Sequence, residues 1–597
     1  MPLHLFAEPF PPSGALSGRG ARKLLGAHSL TPIEVLVREA GQNAWDARLE
    51  ASGQIRMTFR LRRLLPDQAD MLFGTVLGER PKAGGGAAGL GLAEADPSPL
   101  VIEIADFGTR GLGGPTRADR PAAEDEERNF VNLVRNIGAS EDEDDRGGTY
   151  GYGKMATFSA SRCATLVIDS LARQGDGEVR RLIGCQVADP YDAGDLRHTG
   201  RHWWGEREDD GFAAPVEGPD AEALARSLGL PERATGSTGT TILIVHPDVD
   251  PVEAANEIRR SLLWWFWPKM IDQGEGPAMT FDLELEGEMQ TIPSPESTAP
   301  LDIYVEAWRK LKAGDPGVIK TRVASYGNLV TGQVATARGF HRPRTFLQTG
   351  PASERSHHIA LMRPVELVVT YLEGTPLSAE EVEWGGVFIC DEANEVLAAF
   401  TAAEPPAHDA WSPETLRGRP FRIVNRSLEL LRQVARETGQ PLQVITGTSE
   451  TQPPLAIPSR LLGRLLPDDP DADGPGRRSR PMRGARKRWQ VEAPEFVSLE
   501  QVGDQVHSLF SVNARNSSPR PIVVEARPGL FIDDRLTTET DLADGSHIRG
   551  LGWQNADGDV RSDGTHVVIE PGTNETLTFR ILMSGLAAVG LTLRVEA

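Results

Sequence analysis

The stretch TPIEVLVREAGQNAWDA, residues 31–47, decides the fold that we expect for this chain. Thr31 followed by Pro32 supplies an N-cap and a proline at the first helical position, which predicts a helix running to about Ala51. Helix and strand patterns continue to about residue 275, so the region is expected to be a mixed α/β layer rather than a repeated βαβ series. The glycine-rich residues 83–99 are expected to form a flexible insertion. The predicted strands are residues 55–61, 100–105, 164–169, 179–187 and 240–246.

Three polar side chains share one face of the predicted first helix. Glu39, Asn43 and Asp46 are spaced i, i+4 and i+7, a spacing that brings side chains onto the same side of a helix. Two carboxylates and an amide in such an array cost free energy to bury without ligands. The pattern alone is equally compatible with an ordinary solvated face, so a ligand site needs support from other motifs.

A second motif, DFGTRGLGG, occupies residues 106–114 directly after the strand pattern VIEIA. A carboxylate at the end of a strand, here Asp106, is well placed to accept a hydrogen bond from an exocyclic amine. The glycines at 108 and 111 let the backbone pass close to a planar ring or a sugar. Asp-x-Gly also marks common turns, so this motif is weak by itself.

The third motif is GGTYGYGK, residues 147–154, which runs into a helix pattern. Gly148, Gly151 and Gly153 fit GxxGxG, and backbone N–H groups at a helix N-terminus form an anion site to which Lys154 adds a point charge. The glycines do not follow a strand closely, which argues against a Rossmann turn. A P-loop is excluded because Lys154 is followed by Met155 rather than by Ser or Thr.

The fourth motif is GSTGTTILIVH, in which Gly239 and Thr240 introduce an apolar strand pattern. A threonine at the start of a strand can hydrogen-bond a base directly or through water. In isolation Thr240 is also simply a β-branched residue entering a strand.

The order of these four motifs resembles the Bergerat nucleotide-binding fold of the GHKL ATPases, named for gyrase, the heat-shock chaperone, histidine kinases and MutL. The resemblance covers roughly residues 30–250 and implies ATP and Mg²⁺ as cofactors. It implies that Glu39 is the general base for water attack on the γ-phosphate and that Asn43 is the Mg²⁺ ligand. It further implies that Asp46 lies on the adenine and sugar side, that Asp106 reads adenine with Gly108 and Thr240 beside it, and that Gly148, Gly151, Gly153 and Lys154 cradle the phosphates.

The second motif departs from the family pattern in one respect. The family usually spaces its glycines as DxGxG, whereas Asp106, Gly108 and Gly111 give DxGxxG. This leaves open which of the two glycines packs against the adenine base. Histidine kinases generally lack the catalytic glutamate of the first motif, so the presence of Glu39 favours hydrolysis over kinase transfer.

Four segments are expected along the chain. Residues 1–275 resemble a GHKL ATPase domain, and residues 276–447 are placed and sized like the α/β transducer domain that follows it. Residues 448–488 have the composition of a Pro/Gly/charged linker, and residues 489–597 carry short alternating strands that predict an Ig-like β-sandwich. In the second segment we expect strands at residues 279–285, 323–328, 366–371 and 386–389 and a helix at residues 422–438.

Composition narrows the class of protein. The net charge of −22 disfavours bulk attraction to nucleic acid or to anionic membranes. A local exception is the basic run RRSRPMRGARKR from Arg477 to Arg488, which is either a solvated linker or a contact with DNA phosphates or an acidic partner. The cysteines are scattered and the N-terminus does not read as a signal peptide, so we expect a cytoplasmic protein that is not inserted in a membrane.

The functional hypothesis is a Mg²⁺-dependent ATPase that forms a homodimer on ATP binding. The conformational closure that accompanies ATP binding would then be transmitted to partner molecules. Within the superfamily the arrangement is most similar to prokaryotic MORC-like ATPases, some of which lie in restriction or phage-defence gene clusters. The C-terminal sandwich is then expected to dock a protein partner. Two alternatives remain at this point, namely a nucleotide-gated scaffold with negligible turnover and a chaperone acting on protein clients.

Overall fold

The structure of the chain is a computed structural model, and it describes residues 1–13, 30–49, 54–82, 84–121, 127–136, 152–175, 177–405, 409–439, 489–502, 505–532, 535–537, 548–556, 558–583 and 589–596. The fold is mixed α/β, as the sequence predicts, and contains both mixed and antiparallel sheets. The chain divides into two compact units, one made of Met1–Pro376 with Glu383–Gly439 and the other of Leu377–Val382 with Gln440–Ala597.

Within the described residues, the first unit is built on a sheet of twelve strands. The strands are β1 (His4–Pro9), β2 (Ile55–Arg63), β3 (Leu100–Phe107), β4 (Thr165–Gln174), β5 (Gly177–Val187), β6 (Tyr191–Ala193), β7 (Leu196–Arg207), β8 (Ala213–Ala214), β9 (Val216–Glu217), β10 (Gly239–Val245), β11 (Met279–Leu285) and β12 (Glu288–Gln290). Their hydrogen-bonded order is β1–β7–β5–β4–β10–β3–β2–β11–β12, with β6 and β8 beside β7 and with β9 beside β5.

Strand β11 continues this sheet beyond the position at which the sequence places a domain boundary. It pairs in parallel with β2, Met279 lying opposite Ile55, and β12 extends it as an antiparallel hairpin. The chain therefore crosses residue 275 without leaving the first sheet.

Six α-helices of the described chain accompany the sheet: α1 (Pro32–Asp46), α2 (Pro66–Asp70), α3 (Ala87–Glu94), α4 (Tyr152–Ser159), α5 (Gly218–Ser227) and α6 (Pro251–Met270). Helix α1 begins as the sequence predicts, because the Thr31 side chain accepts from Glu34 N and the Glu34 carboxylate accepts from Thr31 N in a capping box. The predicted end at Ala51 is wrong. The helix ends at Asp46, and Arg48 is drawn into a β-bridge with Thr109 instead.

Successive side chains of the strands point to opposite sides of the sheet, and both faces bury apolar side chains. Ile102 and Ile104 of β3 join the core that also contains the apolar sides of α1, α4 and α6. Val101 joins the core of the other face, where it meets Leu72 and Leu90. The face that carries α1 is called the α1 face below.

Helices α1 and α6 pack closely on the α1 face. A Cβ at Gly41 would lie 2.2 Å from Phe266 Cζ, so this approach requires a glycine at position 41 of α1. Helix α6 begins at an Asp250 N-cap and buries Trp264, Trp265 and Trp267. Aromatic burial of this extent is the main contribution of α6 to the core.

The prediction of a flexible insertion at residues 83–99 is wrong in its central part. Residues 87–94 form helix α3, and Leu90 and Ala93 are fully buried against the sheet. The two residues are three apart, so they fall on the same side of the helix and face the core together. A helix forms here despite the glycine-rich composition, because the helix buries this apolar pair.

The same unit contains a second, five-stranded sheet, counted over the residues that are described. Its order is β13 (Ile319–Val323), β14 (Leu329–Phe340), β17 (Val382–Cys390), β15 (His357–Met362) and β16 (Val368–Glu373), and it is accompanied by α7 (Leu301–Ala313), α8 (Asn394–Ala403) and α9 (Gly418–Thr438). The predicted strand at residues 323–328 is wrong. Strand β13 ends at Val323, because Ala324–Tyr326 form a 3₁₀ turn, after which Gly327 and Asn328 adopt left-handed backbone conformations with φ of 66° and 60°.

The second unit consists of two antiparallel sheets in its described part. One has the order β18 (Trp489–Val491), β20 (Gln505–Asn516), β26 (Asn574–Met583), β23 (Ile548–Asn555) and β24 (Val560–Ser562), with β19 (Glu495–Val502) beside β20. The other has the order β22 (Arg535–Thr537), β21 (Ile522–Ile532) and β25 (His566–Ile569), with β27 (Val589–Glu596) beside β21. The linker at 448–488, with its basic run from Arg477 to Arg488, lies outside the described residues.

A buried histidine in the first sheet makes stability sensitive to acid. His202 is fully buried on β7, where Nδ1 hydrogen-bonds Gln186 Oε1 at 2.9 Å and Nε2 hydrogen-bonds the Tyr191 hydroxyl at 3.1 Å. Burial, assisted by the neighbouring His198, lowers the pKa of His202 from 6.5 to about 4.

Between these two pH values the unfolded chain binds a proton at this site and the folded chain does not. We therefore expect the free energy of unfolding to fall by about 3 kcal/mol from this group as pH drops from 6.5 to 4. Urea unfolding followed across this range measures the effect. A His202→Gln variant should lose that part of the slope, and an unchanged slope would contradict the assignment.

Candidate functional site

The centre of the candidate site is Asp106, near the end of β3. It lies two positions after Ile104 in the strand, so its side chain lies on the α1 face, and it is partly buried there. Its Oδ1 accepts hydrogen bonds from the Thr109 hydroxyl and, at 3.2 Å, from Thr240 N. Among the described residues none donates to Oδ2. The carboxylate is thus held in place through one oxygen, which leaves the other able to accept from a ligand.

Removal of the Asp106 carboxyl from water raises its pKa, and Arg233 acts in the opposite direction. Arg233 Nη1 donates to the backbone oxygen of Asp106 at 2.8 Å, and Nη2 donates to Thr241 Oγ1 at 2.9 Å. The guanidinium thus links the end of β3 to the start of β10, and neither of these two bonds uses the Asp106 Oδ2 atom.

The backbone of β10 approaches Asp106 very closely. A Cβ at Gly239 would lie 2.2 Å from the Asp106 carbonyl oxygen and 2.8 Å from Oδ1, and the φ of Gly239 is 151°. Only glycine fits this space, and its small size lets Thr240 N reach the carboxylate. Thr240 is itself buried next to this carboxylate.

Ser170 continues this arrangement onto the next strand, β4. It lies opposite Thr240 in the β4–β10 pairing, and its Oγ bonds Gly239 O at 3.0 Å and Thr240 Oγ1 at 3.1 Å. Ser170 Oγ also accepts from Leu112 N at 2.8 Å. Sequence reasoning missed Ser170, and its role becomes visible only once the strand register is known.

The end of helix α1 is tied to the turn that follows Asp106. Leu49 N donates to Gly108 O at 3.1 Å, and Arg110 N donates to Ala47 O at 2.8 Å. These bonds bring Asp46, the last residue of α1, beside the second motif. The first and second motifs therefore meet on the α1 face.

Glycine is needed at the two positions of the second motif for different structural reasons. Gly108 has a φ of 84°, and its N donates to Thr238 O at 3.0 Å, which closes the turn against the entry to β10. Gly111 has a φ of 69°, and a Cβ there would lie 2.4 Å from Leu171 O on β4. The second glycine of DxGxxG therefore lies where the backbone of the turn packs directly against the backbone of β4.

The polar face of α1 is accessible. Glu39 is partly exposed and Asn43 and Asp46 are exposed, while Val37 and Ala44 on the other side are buried. The i, i+4, i+7 spacing thus yields a common face that a ligand can reach. The structure does not by itself assign a role to any of the three.

The third motif is only partly within the described residues. Gly148 and Gly151 lie outside them, while Gly153 and Lys154 belong to the first turn of α4, where the backbone alone is described. Helix α4 packs against α1, and Ala156 and Val35 are buried together. The start of α4 therefore belongs to the same face of the sheet as the other motifs.

A groove of about 540 Å³ opens on the opposite face of the sheet. Phe107, the neighbour of Asp106, contributes to it together with Arg56, Thr58, Arg60 and Glu284. Because adjacent residues of a strand point to opposite sides, this groove is separate from the Asp106 carboxylate.

No protein-family model matches the chain, and no curated protein matches it either. In the described residues, no helix combines the length and apolar character needed to cross a membrane. The fold and the site together define a mixed α/β protein with a fixed carboxylate on a helix-covered sheet face.

Proposed function

We propose that this chain is a Mg²⁺-dependent ATPase of the GHKL type, with a Bergerat-type nucleotide-binding region. The observation that carries the proposal is the Asp106 carboxylate, held through Oδ1 by Thr109 and Thr240 while Oδ2 remains able to accept a hydrogen bond. A carboxylate held in this way suits the exocyclic amine of adenine, which is a hydrogen-bond donor.

The remaining residues receive roles from the family resemblance. Asp46 and Gly108 would lie on the adenine and sugar side with Thr240, consistent with the bonds that link α1 to the Gly108 turn. Asn43 would ligate Mg²⁺, and the ion would neutralise charge on the phosphates. Glu39 would orient the attacking water and accept its proton. Gly111 supports the turn, and Gly148, Gly151, Gly153 and Lys154 would cradle the phosphates.

One contact supports the idea of a conformational switch. Arg38, adjacent to Glu39 on α1, donates from Nη2 to Val369 O of β16 at 3.1 Å and stacks 4.1 Å from the Trp265 ring. A shift of α1 on ligand binding would act on the second sheet directly through this bond. The second sheet and its helices would then act as a transducer-like region.

The wider proposal is an ATP-gated homodimer in which a C-terminal β-sandwich docks a protein partner. The run from Arg477 to Arg488 would contact DNA, which fits a role in phage defence. Sizing the full chain with and without a non-hydrolysable ATP analogue tests the dimer. A protein that stays monomeric with bound analogue would overturn this part of the proposal.

Base selectivity tests the proposed adenine site. Guanine presents the O6 acceptor where adenine presents the N6 amine, so GTP would set an acceptor against Asp106 and leave the carboxylate unpaired. We expect ATP to bind at least about 100-fold more tightly than GTP in calorimetric titrations with Mg²⁺. Equal affinities for the two nucleotides, or no binding of either, would contradict the proposal.

A further inference from the structure

A cluster of two histidines and a glutamate lies at one end of the second sheet, away from the residues of the proposed nucleotide site. His357 and His358 are the first two residues of β15, and Glu373 is the last residue of the adjacent β16. His358 lies directly opposite Glu373 in the antiparallel pairing of these strands. One ligand atom from each of the three side chains lies within 4.8 Å of the other two.

We propose that His357, His358 and Glu373 bind a divalent transition-metal ion of the zinc class. Imidazole nitrogens together with one carboxylate oxygen are a usual ligand set for such ions and a poor one for Mg²⁺, which prefers oxygen ligands. The site is therefore chemically distinct from the Mg²⁺ position proposed at Asn43.

The spacing of the ligand atoms fits a metal. His357 Nε2 lies 3.4 Å from Glu373 Oε1. In a tetrahedral zinc site with metal–ligand distances of about 2.0–2.2 Å, neighbouring ligand atoms are roughly 3.4 Å apart. His358 completes the set, its ring centroid lying 4.4 Å from that of His357. The three ligand atoms thus lie close enough together to share one ion.

The hydrogen bonding of the cluster leaves capacity for a ligand. His357 Nδ1 is buried and has no hydrogen-bond partner in the described structure, and its Nε2 contact with Glu373 is long for a hydrogen bond. The weak Nε2 contact leaves that nitrogen able to bind an ion shared with Glu373.

The burial of the cluster differs from one ligand to the next. His358 is 8% exposed. The Glu373 side chain is 74% exposed, so the site opens to solvent. With three protein ligands, a fourth coordination position remains for water or another ligand.

Metal titration of the full chain tests the proposal. Nucleotide-free protein, stripped with EDTA, is titrated with Zn²⁺ by calorimetry and with Co²⁺ by visible absorption, which reports tetrahedral coordination. We expect binding of Zn²⁺ and tetrahedral Co²⁺ bands in the wild type. His358→Gln and Glu373→Gln should each weaken Zn²⁺ binding at least about tenfold, because loss of even an outer-shell partner has this effect.

His566→Gln is the matched control, since the exposed His566 pairs through Nε2 with Glu525 Oε1 at 4.0 Å and belongs to no cluster of three ligand atoms in the described residues. It should bind Zn²⁺ as the wild type does. Glu373→Gln keeps the test decisive if His358→Gln fails to fold, because Glu373 is exposed. Wild-type Zn²⁺ affinity in a folded Glu373→Gln variant, or no Zn²⁺ binding by the wild type, would overturn the proposal.

Discussion

Replacing Asp106 with asparagine is expected to weaken ATP binding by at least about 100-fold, or about 3 kcal/mol, without unfolding the protein. The Thr109 hydroxyl and Thr240 N both donate to Oδ1, so the amide oxygen of an asparagine must occupy that position. Its NH₂ group then takes the place of Oδ2 and faces the exocyclic amine of adenine. Two donors would oppose each other where the wild type offers an acceptor.

Calorimetric titration with ATP and Mg²⁺ measures this effect, and a thermal melt reports the fold. Asp282→Asn is the matched control, because Asp282 lies on β11 of the same sheet and pairs only with Arg56 in the described structure. We expect it to bind ATP normally. If Asp106→Asn binds ATP as tightly as the wild type, adenine is not read by this carboxylate.

A Glu39→Gln variant is expected to release phosphate from ATP about 10²–10⁴-fold more slowly than the wild type while binding ATP almost equally well. Glutamine keeps the size of the side chain but cannot accept a proton from water. The position is partly exposed on α1, so the substitution should not disturb the core. The dimer should still form with ATP, and it should dissociate more slowly than the wild-type dimer.

Glu222→Gln provides the control, since Glu222 is on α5 and pairs with the exposed Arg226. Its phosphate release should equal that of the wild type. This experiment also separates the proposed enzyme from a nucleotide-gated scaffold. Equally slow phosphate release by wild type and Glu39→Gln, with both still dimerising on ATP, would support the scaffold and contradict hydrolysis.

Much of the local architecture could be predicted from the sequence. Thr31, Pro32 and Glu34 specify the start of α1 through contacts within one helical turn. Strand positions such as 279–285 and 100–105 agree with β11 and β3, because the pattern of apolar residues is a local signal. Failures occurred where a local pattern competed with packing, as at α3, where burial of Leu90 and Ala93 favours a helix.

The candidate site was predictable as a set of motifs but not as an arrangement. The order of Glu39, Asn43, Asp46, Asp106 and Thr240 along the chain indicates a shared role. Ser170 and Arg233 carry no such signal, since a serine in a strand and an arginine in a loop are common. Their bonds to Gly239, Thr240 and the Asp106 backbone exist only in the folded sheet.

By itself, the sequence determined the mixed α/β class, the cap of α1 and the shared face of its three polar residues. Only the tertiary structure decided that Thr240 N meets Asp106 across 134 residues, or that His358 faces Glu373. Caps and periodicity act over a few residues, whereas these contacts depend on the register between strands. A slip of one residue would turn Asp106 or Thr240 to the opposite face, and that register is set by burial of the whole sheet.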